Sequence, residues 1–301
     1  MFWRKGNRKA HERRALMGTA AGSATIALVA GIAVVAQGYE RAEQDLSDAS
    51  VWVTNTSQGL LGHANTAITS LSTAVKLEGD GVTIGQDKSH VLLHVPDKNT
   101  LALVDPAQAE TSASVNLPSG SPAVVTAGSW AAILAASEGD LWVRGFNELQ
   151  GFDPGSGATG PVGVEAVVAV DQDGHWAGYS QKASRVTVGG SGAPKTEEVH
   201  FSQAAQGAQI AVIGGEVAIY NPRSNELWYQ GKARSLASLV TDPASARLQA
   251  STTHGGRVFV AHDGGLVVAD AGSEDLEYRN DTEEGTPAAP VRVGNCVYAA
   301  W

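Results

Sequence analysis

From Val51 to Trp301 the chain alternates short apolar runs with tight polar turns, and the alternation carries a longer beat. VWVTN (Val51 to Asn55) turns through TSQG into LLGHA, VLLHV through PDKNT into LALVD, and AAILAA through SEGD into LWVRG. HWAGYS, EVAIYN and RVFVAH then turn through QKAS, PRSN and DGG into RVTVG, ELWYQ and LVVAD. Each pair predicts an antiparallel hairpin, because apolar runs of strand length flank residues that favour turns. Pro96 and Pro222 preset φ near the start of their turns, and Asp263-Gly264-Gly265 supplies positive φ at little steric cost. The second runs begin at Leu60, Leu101, Leu141, Arg185, Glu226 and Leu266, a recurrence of about forty residues. That period matches the ~40–45 residues of a four-stranded β-propeller blade. A β-sandwich is the competing arrangement, but its strands space at ~8–12 residues without a longer beat.

Most hairpins are preceded by another apolar run: VTIG, AVVTAG, VEAVVAV, QIAVIG and APVRVG. Their continuous Val, Ala and Ile content predicts an innermost strand, buried on both faces. More polar runs such as SASVNL and TEEVHFS follow the hairpins and predict outer strands with one apolar face. The expected order within a unit is therefore inner, second, third, outer. The closing GNCVYAAW (Gly294 to Trp301) reads as a second strand behind an inner strand at Val291 to Val293. VWVTN is also a second-strand phrase, so the two ends do not supply different strands to one sheet. The expected fold is an all-β propeller of six full blade units plus part of a seventh, truncated at its C-terminus. A six-bladed ring with an extra strand is the alternative.

Charge adds a second region. Residues 1–14 hold Arg4, Lys5, Arg8, Lys9, Arg13 and Arg14 against Glu12, about +5, which leaves about −15 for the remainder of a chain whose net charge is −10. An acidic propeller argues against a nucleic-acid partner, since phosphate binding needs a cationic face. Residues 15–39 carry no charge, and ~25 residues at ~1.5 Å each suffice for a ~30 Å hydrocarbon core. The basic tip ahead and Glu40, Glu43, Asp45 and Asp48 behind orient the N-terminus inward. The expected organisation is a cytoplasmic basic tip at 1–14, a single-pass membrane signal anchor at 15–39, a linker at 40–50 and an extracytoplasmic propeller at 51–301. A cleaved signal peptide is the alternative, since Val34-Val35-Ala36 offers small residues at a cleavage site.

Candidate chemistry is sparse. His90 and His94 share a strand face but stand roughly 13 Å apart at ~3.3 Å per residue, too far for one zinc ion. His63, His175, His200, His254 and His262 fall in different units. Asp171-Gln172-Asp173-Gly174 opens like a calcium loop, yet no bidentate Glu follows, so a turn is expected. Asp105, Asp153 and Asp242 sit in turns and at strand ends. There is no G-x-S-x-G nucleophile elbow, phosphate loop or dinucleotide fingerprint. No catalytic, cofactor-binding or metal-binding residue and no cofactor is predicted. Trp52, Trp130, Trp142, Trp176, Trp228 and Trp301 are expected to pack between blades. Cys296 is a lone cysteine in a domain expected outside the cell, where an odd count suggests a disulfide partner beyond the chain. A small buried strand residue is the other reading.

With its uncharged segment, its SVWVTN opening, its repeat and its GNCVYAAW close, the chain resembles the N-terminal part of large actinobacterial membrane-anchored surface proteins. Those carry a propeller-like region followed by Ig-like or fibronectin type III modules. VWVTN is also similar to YVTN-type propeller repeats. The resemblance implies that the protein continues past Trp301, with a second cysteine soon after Cys296. The expected function is a binding or scaffold module at the cell envelope, its partner an envelope protein or cell-wall glycan. A secreted hydrolase, lactonase-like or glycan-cleaving, with a site at the propeller mouth is the alternative. A sensor signalling through the basic tip is a third reading.

Overall fold

The computed structural model describes residues 50–301 apart from 56–58, 66–69, 78–80, 88–89, 106–109, 112–113, 272, 274 and 280–284. The expected tip, anchor and linker therefore lie outside the described residues, except Ser50, which opens the first strand. Among the described residues no helix is long and apolar enough to cross a membrane.

The six predicted hairpins all form. The first sheet holds Ser50–Asn55, Leu60–Asn65 and Ser70–Lys76 in that order. The second is built on Thr83–Asp87, His90–Val95 and Thr100–Asp105, and its outer position is split between Glu110–Thr111 and Val115–Asn116. The third runs Ala123–Ala127, Trp130–Ala135, Asp140–Gly145, Gly160–Pro161, and the fourth Ala166–Val170, Trp176–Ser180, Arg185–Gly189, Lys195–Glu198. The fifth runs Gln209–Ile213, Glu216–Asn221, Glu226–Tyr229, Lys232–Ser235. Arg247–Leu248, Arg257–His262, Gly265–Asp270 and Leu276–Arg279 make the sixth. A two-stranded seventh pairs Val291–Val293 with Cys296–Tyr298. Every pairing between these strands is antiparallel, and in the second to sixth sheets the order is inner, second, third, outer, as expected.

One backbone device recurs at the hairpins. Gly59, Asn99, Gly139, Ser184 and Asn225 each have positive φ, from 49° to 81°, immediately before a third strand. Their carbonyls accept the N–H of Leu77, Leu117, Val162, Val199 and Leu236 at 2.7–2.9 Å. Each of these apolar donors is buried just past an outer strand and ties the outgoing chain to the hairpin. Gly59 shares the device, which places Ser50–Asn55 in the second-strand position, as its phrase predicted.

Alternation then decides packing. Successive residues of a strand point to opposite sides of the sheet, so Val91 and Leu93 join Trp52 and Leu61 of the first sheet, while Leu92 joins Ile133 and Trp142 of the third. Five apolar clusters repeat this between consecutive sheets, from the first–second junction to the fifth–sixth. Trp52, Trp142, Trp176 and Trp228 are buried in them, the inter-blade packing that was expected. Trp130 and Trp301 are half-buried. Trp301 Nε1 donates to His262 O at 2.7 Å.

Burial departs from the expectation in two respects. The second strands of the third to sixth sheets are the most continuously buried, whereas inner strands such as Thr83–Asp87 and Ala123–Ala127 are mostly half-buried. Outer strands such as Lys195–Glu198 are exposed throughout rather than on one face. The sixth sheet also has an inner strand of two residues that no apolar run announced. There Gln249 Oε1 accepts Phe259 N–H at 2.8 Å, so a side chain takes a ladder position. The chain beyond it joins the fifth sheet's inner strand through a parallel bridge of Ile213 and Thr252.

Candidate functional site

Residues of the fourth and fifth sheets line a groove of about 370 Å³. Local backbone chemistry makes its rim. Gly214 and Gly215, both with positive φ, turn the fifth sheet's inner strand into its second and set exposed Glu216 at the groove edge. Gln230 and Gly231, also at positive φ, turn the third strand into the outer one and place Gln230 at the same end of the fifth sheet as Glu216. Glu197 comes from the exposed outer strand of the fourth sheet, and Val188 and Trp228 form the apolar floor. Trp228 is anchored in the core that the two sheets share.

The groove is acidic. Its lining holds two carboxylates and no Lys or Arg. On the other face of the fifth sheet, burial pushes the Tyr229 phenol pKa up, and the Glu216 charge adds to the rise. The arrangement can accept hydrogen bonds from hydroxyl or amino groups of a ligand, with Gln230 able to donate as well as accept.

The residues singled out in the sequence lie elsewhere. Among the described residues no three His, Cys, Asp or Glu side chains converge as metal ligands would. Asp171 is fully buried, its Oδ1 accepts the N–H groups of Asp173 and His175 at 2.9 Å, and its Oδ2 lies 3.1 Å from His175 Nδ1. The segment is a turn, as expected. Asp153 Oδ1 accepts from Gly155 N–H and Asp242 Oδ1 from Ala244 N–H, so both are turn formers. His94 is half-buried, and burial lowers its pKa below 6.5. His262 is buried, its Nδ1 accepting Gly264 N–H at 3.1 Å. Cys296 is a free, exposed thiol. Its reading as a small buried strand residue is therefore corrected: the side of the hairpin that carries it is not covered. Glu197, Glu216 and Gln230 were not singled out. Glu197 lies in the TEEV run read as an outer strand, and carboxylates from sequence-distant strands carry no shared pattern.

The structure is similar to virginiamycin B lyase from Staphylococcus aureus, with a TM-score of 0.56 at 10% identity over 86% of this chain and 92% of that one. It is also similar to Hsv2 from Kluyveromyces marxianus, at 0.54 and 8% identity over 77% and 82%. The fold is a β-propeller. The dihydro-heme d1 dehydrogenase NirN in complex with DHE is a third similar structure, at 0.56 and 12% identity over 85% of this chain and 58% of that one. No protein-family model matches the sequence, and no curated protein matches it. At these identities the likeness carries the propeller fold and leaves its chemistry to the residues present.

Proposed function

We propose that this propeller is a binding module of the cell envelope, held on the outer side of the membrane by residues 15–39. On this reading it forms the N-terminal part of a larger surface protein that continues into Ig-like or fibronectin type III modules. The observation that carries the binding role is the groove of Glu197, Glu216, Gln230 and Trp228 on a scaffold of stacked sheets. Rigid sheets with open rims commonly leave recognition to loops and clefts. The ligand that suits this rim offers hydroxyl or amino groups, as a cell-wall glycan or an envelope protein does. The basic tip and uncharged segment support the anchor, and the acidic remainder of the chain argues against nucleic acid.

The test is retention of the full chain, in detergent, on isolated cell-wall material and on detergent-solubilised envelope protein coupled to beads. Glu197→Gln combined with Glu216→Gln is expected to weaken binding about tenfold, the scale of losing one charge-assisted hydrogen bond. Equal retention of parent and variant removes the groove from the reading, and no retention of either removes the reading itself.

A second reading, a hydrolase acting at the propeller mouth, has one observation in its favour. Two of the similar structures carry enzyme names, a lyase and a dehydrogenase. Turnover of lactones or glycans by the purified chain decides it.

A further inference from the structure

Asp-Gly pairs occur three times in the chain, and Asp80 of the first lies outside the described residues. The other two sit in hairpin turns and differ in what holds the glycine nitrogen. With no Cβ on the glycine, the backbone nitrogen of such a pair can approach the preceding side-chain carboxyl carbon and cyclise onto it. The amide proton must leave as that bond forms, so the reaction gains from a base beside the nitrogen. At Asp173-Gly174 there is none. Gly174 is buried and its N–H donates to a backbone carbonyl, Asp171 O, at 3.1 Å. The nearby His175 turns its Nδ1 to the Asp171 carboxylate instead, 3.1 Å away.

At Asp263-Gly264 an imidazole takes that place. Gly264 N–H donates to His262 Nδ1 at 3.1 Å, and the same nitrogen lies 3.2 Å from Asp263 Oδ1. A backbone N–H can only donate, so Nδ1 presents its lone pair and the ring proton belongs on Nε2. Nε2 is buried with no partner among the described residues, which leaves the ring one polar engagement, at the turn. The ring is held there against Tyr278, their centroids 5.6 Å apart. His262 is 1% exposed, whereas Asp263 is 46% exposed and open to water.

We propose that Asp263-Gly264 is a site of self-modification, where His262 promotes cyclisation to a succinimide and conversion to isoaspartate. Starting from the protonated carboxyl, Gly264 N bonds to Asp263 Cγ while its proton passes to His262 Nδ1. The tetrahedral centre then expels a hydroxyl, which takes that proton from the imidazolium and leaves as water, so His262 ends neutral. A second water opens the ring. Attack at the backbone carbonyl of Asp263 leaves the chain running through Cγ, with a free α-carboxylate. Water is the only other reactant. The product adds one backbone carbon to the two-residue turn between His262 and Gly265, which are paired opposite each other. That displaces the contacts the turn makes, the Tyr278 hydroxyl donating to Gly264 O and Thr241 Oγ1 standing 3.5 Å from the Asp263 carboxylate.

The test is prolonged incubation of the full chain, in detergent, in neutral buffer made with heavy-oxygen water. Each ring opening fixes one heavy oxygen at the residue, and peptide fragmentation locates the label and the isoaspartate. Asp263 is expected to convert about tenfold faster than Asp173, at the low end of what a positioned base contributes. His262→Leu is expected to bring Asp263 down to the Asp173 rate. Equal rates at the two sites in the parent overturn the proposal, and so does a His262→Leu protein that converts like the parent. Should that variant fail to fold, the parent in urea decides. The two sites are expected to converge once the turn is lost, and a difference that survives unfolding belongs to local sequence and overturns the role given to the folded geometry.

Discussion

His94 stands one residue before the end of its strand, with Nδ1 3.4 Å from Thr83 Oγ1 and a ring held partly out of water. Burial disfavours the imidazolium, so the folded-state pKa lies below 6.5 while the unfolded chain titrates near it. The unfolded state therefore binds the proton first as pH falls, and stability present above the unfolded pKa is lost as pH drops through 6.5 toward the folded value. Thermal melts from pH 7.5 to 5 are expected to show this decline, and His94→Leu to flatten it. Equal slopes in both proteins would remove the assignment. Asn225 shows what else is decided at this scale. Its Oδ1 accepts the buried Tyr220 hydroxyl at 3.1 Å and its Nδ2 donates to Val240 O at 2.9 Å, while its backbone holds φ 54°. PRSN was legible as a turn because Pro and Asn are local signals. The bond to Val240 was not, since it depends on a loop fifteen residues on.

Among elements, the fifth and sixth inner strands are joined more closely than apolar packing alone requires. Gln209 Oε1 accepts Leu248 N–H and its Nε2 donates to Ala246 O, both at 2.8 Å. Thr252 N–H donates to Val212 O and Gly214 N–H to Thr252 O, again at 2.8 Å. Gln209→Leu removes both side-chain bonds and is expected to cost about 2–3 kcal/mol, since it leaves a part-buried donor and acceptor unpaired. Urea denaturation measures the loss, and Leu248 amide exchange is expected to quicken. The hairpins could be read directly because each combines a two-strand apolar pattern with turn chemistry a few residues long. Arg247–Leu248 could not, because two residues show no periodicity and Gln249 stands in for the missing ladder. Gly160–Pro161 was invisible for a related reason: Pro is a poor strand residue, tolerated here on an outer edge.

At the scale of the molecule, sheets that each touch their neighbours give graded protection rather than one uniform core. The second strands Trp176–Ser180 and Glu216–Asn221 are expected to exchange their amides most slowly, and the outer strands Lys195–Glu198 and Leu276–Arg279 first. Uniform exchange along a sheet would contradict that order. The repeat was legible because every unit solves the same burial problem, whereas the groove needed Glu197 and Glu216 to meet across two sheets. The outer strands lay Lys195, Glu197 and Glu198, Lys232, and Glu277 and Arg279 along the backbone edge that faces outward. A neighbour adding a strand there would have to strip water from those charges for little apolar contact. Molecules crowded side by side thus meet at a rim that resists knitting into a shared sheet, and dense packing need not become fibre growth.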